Sequence, residues 1–153
     1  MASDRVQEFQ GLRRIIAADP FEVRRTLQEL PGAIGGFALH EDLRVALEIV
    51  LAEVLNNIVE HGYNGQGGDI ELSVLPLDRG VMCLVTDKGR PLPDGRLPEG
   101  RLPDLPEVAA GLDGLPEGGF GWHMIRALAS DIRFDRVRGA NQLRFCLRPE
   151  AAA

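Results

Sequence analysis

The sequence predicts an α+β domain, on three observations. Two amphipathic helical segments occupy the first 62 residues, two β-hairpin patterns follow, and 153 residues with 44% hydrophobic content can build one compact domain with a sizeable core. Asp19-Pro20 caps the first helix and places proline in its first turn; the helix continues through Phe21 to Leu27 and breaks at Pro31-Gly32. Asp42 caps the second helix, which runs about 20 residues to Gly62 and buries Leu47, Val50, Leu51, Val54, Leu55 and Ile58 at helical spacing. Ile70 to Leu75 alternates apolar and polar residues, and Asp78-Arg79-Gly80 turns the chain into the central-strand run Val81 to Thr86. A third helix from about Trp122 to Ser130 leads into a second hairpin, Ile132 to Val137 and Gln142 to Leu147, joined by Gly139-Ala140-Asn141.

Charge and composition narrow the function classes. A formal net charge of −6 leaves no basic excess for a general nucleic-acid or anionic-membrane binder, although a single nucleotide needs only local positive charge. Cys83 and Cys146 sit in apolar, strand-like runs, and His40, His61 and His123 are scattered, so buried reduced thiols are expected in place of a disulfide or zinc. Charged residues occupy the N-terminus where a signal peptide has its apolar stretch, and no run of 18 apolar residues occurs; a soluble cytoplasmic protein is expected.

The chemistry concentrates at three places. On a 3.6-residue helix, Glu53, Asn57 and His61 advance about 40° per step and form one stripe bordering the apolar arc. That segment alone also reads as the solvated face of an amphipathic helix. Asp87-x-Gly89-x-Pro91 ends the central strand with a carboxylate able to accept from an exocyclic amine, and with a glycine that admits a flat ring; a capped turn is the plainer alternative. Gly118-Gly119-Phe120-Gly121 opens the third helix, whose free N–H groups favour phosphate oxygens, although the glycines could equally serve as a hinge. Between positions 91 and 118 prolines recur and no period persists, which marks a long loop suited to an active-site lid.

Taken in order, acid-x3-amide-x3-His on a helix, Asp-x-Gly-x-Pro after a strand, a lid, and Gly-Gly-x-Gly before a helix resemble the ATP-binding domain of the GHKL superfamily. The Glu53 to Tyr63 segment, Gly118 to Met124 and Gly139-x-Asn141-x-Leu143 are most similar to the bacterial anti-sigma factor serine/threonine kinases. The resemblance spans about Ala17 to Leu147. It implies the Bergerat fold: a two-layer α/β sandwich in which helices cover one face of a mixed, mainly antiparallel sheet, here as a single domain over residues 1–153 with its lid at about 91–118. It further implies ATP and Mg²⁺ as cofactors, Glu53 as general base, Asn57 as magnesium ligand, Asp87 as adenine reader with Gly89 beneath the ring, and Gly119 and Gly121 on the phosphate side.

The chain departs from the pattern at Asn141-Gln142, where many relatives carry threonine near the adenine, and its proline-rich lid offers Arg96 or Arg101 to the phosphates. His61 is read as a structural hydrogen-bonding residue as readily as a ligand contact, and Trp122 and His123 are given no chemistry. The activity implied is phosphorylation of an anti-sigma factor antagonist, with a sigma factor as a second partner and a homodimer as the assembly; neither nucleic acid nor membrane is a direct partner. Two alternatives stand beside it: a catalytically weak nucleotide-gated module that sequesters a regulator, and a detached histidine-kinase catalytic domain. The last is disfavoured because His40 lies in a loop-like stretch and no phospho-accepting helix pair is available.

Overall fold

A computed structural model describes residues 11–100 and 120–150; the side chain of Phe120 lies outside that description. The elements are β1 (Leu12–Ala17), α1 (Pro20–Ala33), α2 (Glu41–Asn57), β2 (Asp69–Leu77), β3 (Gly80–Asp87), α3 (Phe120–Leu128), β4 (Ser130–Val137) and β5 (Ala140–Leu147). The strands form one sheet in the order β1-β2-β3-β5-β4. Every neighbouring pair is antiparallel, so the sheet lacks the parallel pairing that a mixed sheet contains.

The helices lie on one face of this sheet. Val81, Cys83, Val85 and Asp87 alternate along β3 toward that face and are buried, and Leu143, Phe145 and Leu147 do the same on β5. α2 packs between α1 and α3 and presents Leu47, Val50, Leu51, Val54 and Leu55 to the sheet. Four of these five are wholly inaccessible to solvent, so trimming any one to alanine removes about 2–5 kcal/mol of stability. Cys83 shares the helix-side core, and burial pushes its thiol far up from its ordinary range; Cys146 points to the opposite face, and both thiols are free.

Several boundaries differ from the sequence expectation. α1 does not stop at Pro31 but continues to Ala33, because Ile34 N–H closes the last turn on the Leu30 carbonyl at 3.0 Å and the missing proline N–H costs only one bond near the end. The expected cap, Asp19, is in place: its Oδ1 accepts from Phe21 N at 2.7 Å. α2 is capped by the backbone of His40 instead of Asp42; Asp42 sits with Glu41 in the first turn, where both carboxylates face the positive end of the helix dipole. The turn of the second hairpin is Arg138-Gly139, both with positive φ, so Asn141 belongs to β5 and not to the turn.

β1 was absent from the sequence reading. Its two arginines, Arg13 and Arg14, interrupt the apolar alternation, and it lies at the sheet edge, where charge discourages pairing with another chain. Among the described residues no helix is long and apolar enough to cross a membrane.

The β2–β3 turn depends on Gly80, which has φ +107°; a Cβ there would run into the Leu147 carbonyl oxygen of β5. Gly80→Ala is therefore expected to destabilise the protein by at least about 1–3 kcal/mol. Gly36→Ala, which meets open space, should stay within about 0.5 kcal/mol of the parent, and urea denaturation of the two variants measures the difference.

Candidate functional site

α2 does not end as a regular helix. After Asn57 the chain widens into one π turn, Ile58–Gly62, in which Tyr63 N–H reaches the Ile58 carbonyl at 2.8 Å. The wider turn advances less per residue than an α-helix. His61 consequently leaves the line defined by Glu53 and Asn57, and its side chain is 65% exposed. All three residues still border one cavity, but His61 contributes to its fixed framework through its backbone: Arg90 Nη2 donates to the His61 carbonyl at 3.1 Å.

The π turn meets the end of β3 at very close range. A Cβ on Gly89 would lie 2.6 Å from the Gly62 carbonyl carbon and 2.7 Å from its oxygen, so only glycine permits this approach. Arg90 N–H donates to that same Gly62 carbonyl at 2.8 Å. Tyr63 completes the junction: its hydroxyl donates to the Asp69 carbonyl at 2.6 Å and accepts from Lys88 N–H at 2.8 Å. Burial, partly offset by the Lys88 bond, raises the Tyr63 phenol above its ordinary pKa, so it remains a neutral donor.

Between this junction, α3 and the β4–β5 hairpin lies a cavity of about 820 Å³, within the range of small-molecule sites. Glu53, Asn57 and Ile58 line it from the helix side, Asp87 and Asn141 from the sheet, Gly121 and Trp122 from α3, and Leu92, Pro93, Asp94 and Pro98 from the segment leaving β3. Asp87 is only 5% exposed. Its Oδ1 accepts from Gly89 N–H at 2.8 Å and from Asn141 Nδ2 at 3.0 Å, and Oδ2 has no hydrogen bond among the described residues.

At the other end of the cavity, Glu53 lies against the first turn of α3. A Cβ on Gly121 would be 2.5 Å from Glu53 Oε2 and 3.8 Å from Asn57 Nδ2. The Asn57 Nδ2 is buried and has no hydrogen-bond partner among the described residues. A buried amide donor without an acceptor is costly, and a ligand oxygen would relieve it. The cavity wall carries the carboxylates of Glu53, Glu60, Asp87 and Asp94, against Arg90 as its one permanent cation among the described residues.

Thus Glu53, Asn57, Asp87 and Gly121 meet around one cavity, Gly121 as the space for Glu53, whereas Gly89 does not line the cavity and is the junction piece that seats the end of β3 against Gly62. Gly118, Gly119 and Arg101 lie outside the described residues. Arg96 is exposed and does not line the cavity. The first part of the long loop is instead fastened to α3: Arg126 Nε donates to the Pro98 carbonyl at 2.8 Å, and Gly100 packs on the His123 backbone so closely that no Cβ would fit. Trp122, given no chemistry above, forms part of the cavity wall and of the core. Arg90, Arg126 and Arg136 were not singled out in the sequence because each donates to a backbone carbonyl distant in the chain, which no local pattern encodes; Arg136 also donates to the nearby Asn141 side chain.

Residues 16–147 match the family of histidine kinase-like ATPase domains. The chain belongs to that family. It is similar to the serine-protein kinase RsbW of Oceanobacillus iheyensis, with 28% identity over 118 residues covering 76% of this chain and 71% of the relative. Its fold is also that of a crystal structure of the RsbU and RsbW domains of Rv1364c from Mycobacterium tuberculosis, with a TM-score of 0.57 and 18% identity; the match covers 90% of this chain and 32% of the other, so the chain spans about a third of that protein. This ATPase-domain chain therefore shares with its relatives a helical layer over an antiparallel sheet, and its cavity lies between the two layers.

Gly89 and Gly121 should respond differently to substitution. Gly89→Ala forces backbone against backbone and is expected to cost at least about 1–3 kcal/mol. Gly121→Ala meets only the mobile end of Glu53 and should leave the unfolding midpoint nearly unchanged, while displacing that carboxylate. Thermal unfolding of both variants checks the contrast; equal losses would contradict it.

Proposed function

We propose that this chain is a single ATP-binding domain with a lid over about 91–118, acting in the cytoplasm as a serine/threonine protein kinase on an anti-sigma factor antagonist in a partner-switching pathway, with a sigma factor as its second partner. The observation that carries the reading is the buried Asn57 Nδ2, without a partner among the described residues, beside Glu53 and the first turn of α3, in one cavity with a carboxylate suited to an exocyclic amine. The family name and the kinase activity in the name of the Oceanobacillus relative support it.

In this reading Asp87 Oδ2 accepts from the adenine amine, and Gly89 keeps the floor beneath the base flat. Asn57 Nδ2 donates to a phosphate oxygen, and the amide oxygen is a hard donor of the type magnesium prefers. Gly119 and Gly121 stand on the phosphate side. Four carboxylates against one permanent cation make the described wall unfavourable for a bare triphosphate, which fits a nucleotide that arrives with a divalent ion. Magnesium held at Asn57 would supply neutralisation of the charge that develops on the phosphates.

Glu53 is the proposed general base. Its carboxylate takes the proton from the hydroxyl of the protein substrate as that oxygen bonds to the γ-phosphorus; the bond between the γ-phosphorus and the β–γ bridging oxygen breaks, and ADP leaves. Because the fold places Glu53 one helical turn before Asn57, the base and the phosphate-binding amide share one rigid support.

Glu53→Gln is expected to lower phosphotransfer to the antagonist by about 10²–10⁴-fold while changing ATP affinity only a few-fold. Asn57→Ala should weaken ATP binding in the presence of Mg²⁺ by at least about tenfold, the value of a hydrogen bond to a charged group. Calorimetric titration with ATP, with and without Mg²⁺, alongside a radiolabel transfer assay, separates binding from chemistry. Undiminished partner regulation in Glu53→Gln would favour a nucleotide-gated binding module over a kinase.

A further inference from the structure

Three residues on adjacent strands lie in one row of the sheet: Arg136 on β4 is opposite Asn141 on β5, and Asn141 is opposite Asp87 on β3. Their side chains form a directed chain of hydrogen bonds. Arg136 Nη1 donates to Asn141 Oδ1 at 2.8 Å and to the Gly89 carbonyl at 2.8 Å. Asn141 Nδ2 donates to Asp87 Oδ1 at 3.0 Å, to the Arg90 carbonyl at 2.9 Å and to the Gly89 carbonyl at 3.2 Å. Asn141 is 5% exposed, so its amide is committed to these partners.

We infer that Arg136 and Asn141 are positioning residues that set base specificity by holding Asp87 in a single orientation; this rests on the ATP reading of the cavity. A guanidinium can only donate. With Arg136 beside it, the Asn141 amide must turn its oxygen toward Arg136 and its nitrogen toward Asp87. The Asp87 carboxylate then receives two N–H donors on Oδ1, from Asn141 and Gly89, which fixes its rotation. Oδ2, which makes no hydrogen bond among the described residues, remains a pure acceptor.

A pure acceptor discriminates between purines by the group at position 6. The amine of adenine donates to it, whereas the oxo group of hypoxanthine or guanine brings a second acceptor against an ionised oxygen. Without Asn141 the carboxylate is free to rotate and so to turn away from the oxo group. The same amide and the same guanidinium also hold the Gly89 carbonyl, which ties the base reader and the floor of its pocket into one unit.

The test is calorimetric titration of the full chain, as parent, Asn141→Leu, Arg136→Met and Arg133→Met, with ATP and with ITP in the presence of Mg²⁺. The parent should prefer ATP. Asn141→Leu should lose about ten- to a hundredfold in ATP affinity with little change for ITP, so the ratio collapses. Arg136→Met should shift the ratio in the same direction by a smaller factor, and it carries the test should Asn141→Leu not fold. Arg133→Met, exposed on the same strand, should match the parent. Variants that weaken both nucleotides equally, or that keep the parental ratio, overturn the specificity role and leave the ATP reading intact. A folded parent that binds neither nucleotide overturns the ATP reading and the inference with it.

Discussion

The approach of Gly89 to Gly62 is the contact on which the site depends. It brings the end of the central strand within backbone distance of the π turn that closes α2, and a single Cβ would prevent it. Every polar tie across the junction follows from that distance: Arg90 N–H to the Gly62 carbonyl, the Arg90 guanidinium to the His61 carbonyl, and Tyr63 bridging Lys88 and Asp69. Buried backbone groups must be paired, and here their pairing joins the helical layer to the sheet at the corner of the cavity where Asp87 sits. The two layers could otherwise be held by apolar contact alone, which is strong but does not set angular position.

The π turn explains why the stripe of Glu53, Asn57 and His61 is not straight. Continuing as an α-helix, the chain would carry His61 along the same side as Glu53 and Asn57. The extra residue in the turn instead spends the histidine position on the junction, where its carbonyl is an acceptor and its imidazole faces solvent. Placing a π turn at the end of a site-bearing helix lets one element serve two directions: regular geometry up to Asn57 for the ligand, and a widened last turn for docking onto β3.

How much of this was legible in the sequence depended on the range of the forces involved. Helices α1 to α3 and both hairpins follow from apolar period and turn chemistry, which act within a few residues, and the meeting of Glu53, Asn57, Asp87 and Gly121 around one cavity follows from their positions at element ends. β1 was missed because an edge strand with two arginines has a weak local signal and is held by its ladder to β2, whose paired residues lie from 52 (Ala17↔Asp69) to 62 (Leu12↔Val74) positions away. The π turn was missed because nothing in Ile58 to Gly62 differs in composition from a helix; it is imposed by the tertiary junction. Asn141 was legible as a departure from the family pattern, but its work was not, since most of its partners, Asp87, Gly89 and Arg90, lie 51 to 54 positions away at the end of β3.

The electrostatics of the cavity point the same way as its geometry. A wall with Glu53, Glu60, Asp87 and Asp94 would repel any anion that entered alone, yet the fold maintains these carboxylates around a buried amide donor that has no acceptor among the described residues. Such an arrangement is unfavourable unless a ligand brings both an acceptor and compensating positive charge. The loop leaving β3 helps to retain it: Arg126 holds the Pro98 carbonyl, so Leu92, Pro93 and Pro98 remain against the open side of the cavity. With apolar residues there, water is partly excluded and every charge interaction inside is strengthened, including repulsion among the carboxylates. A ligand that supplies both signs of charge therefore suits this wall better than a bare anion, and that preference is a consequence of the fold itself.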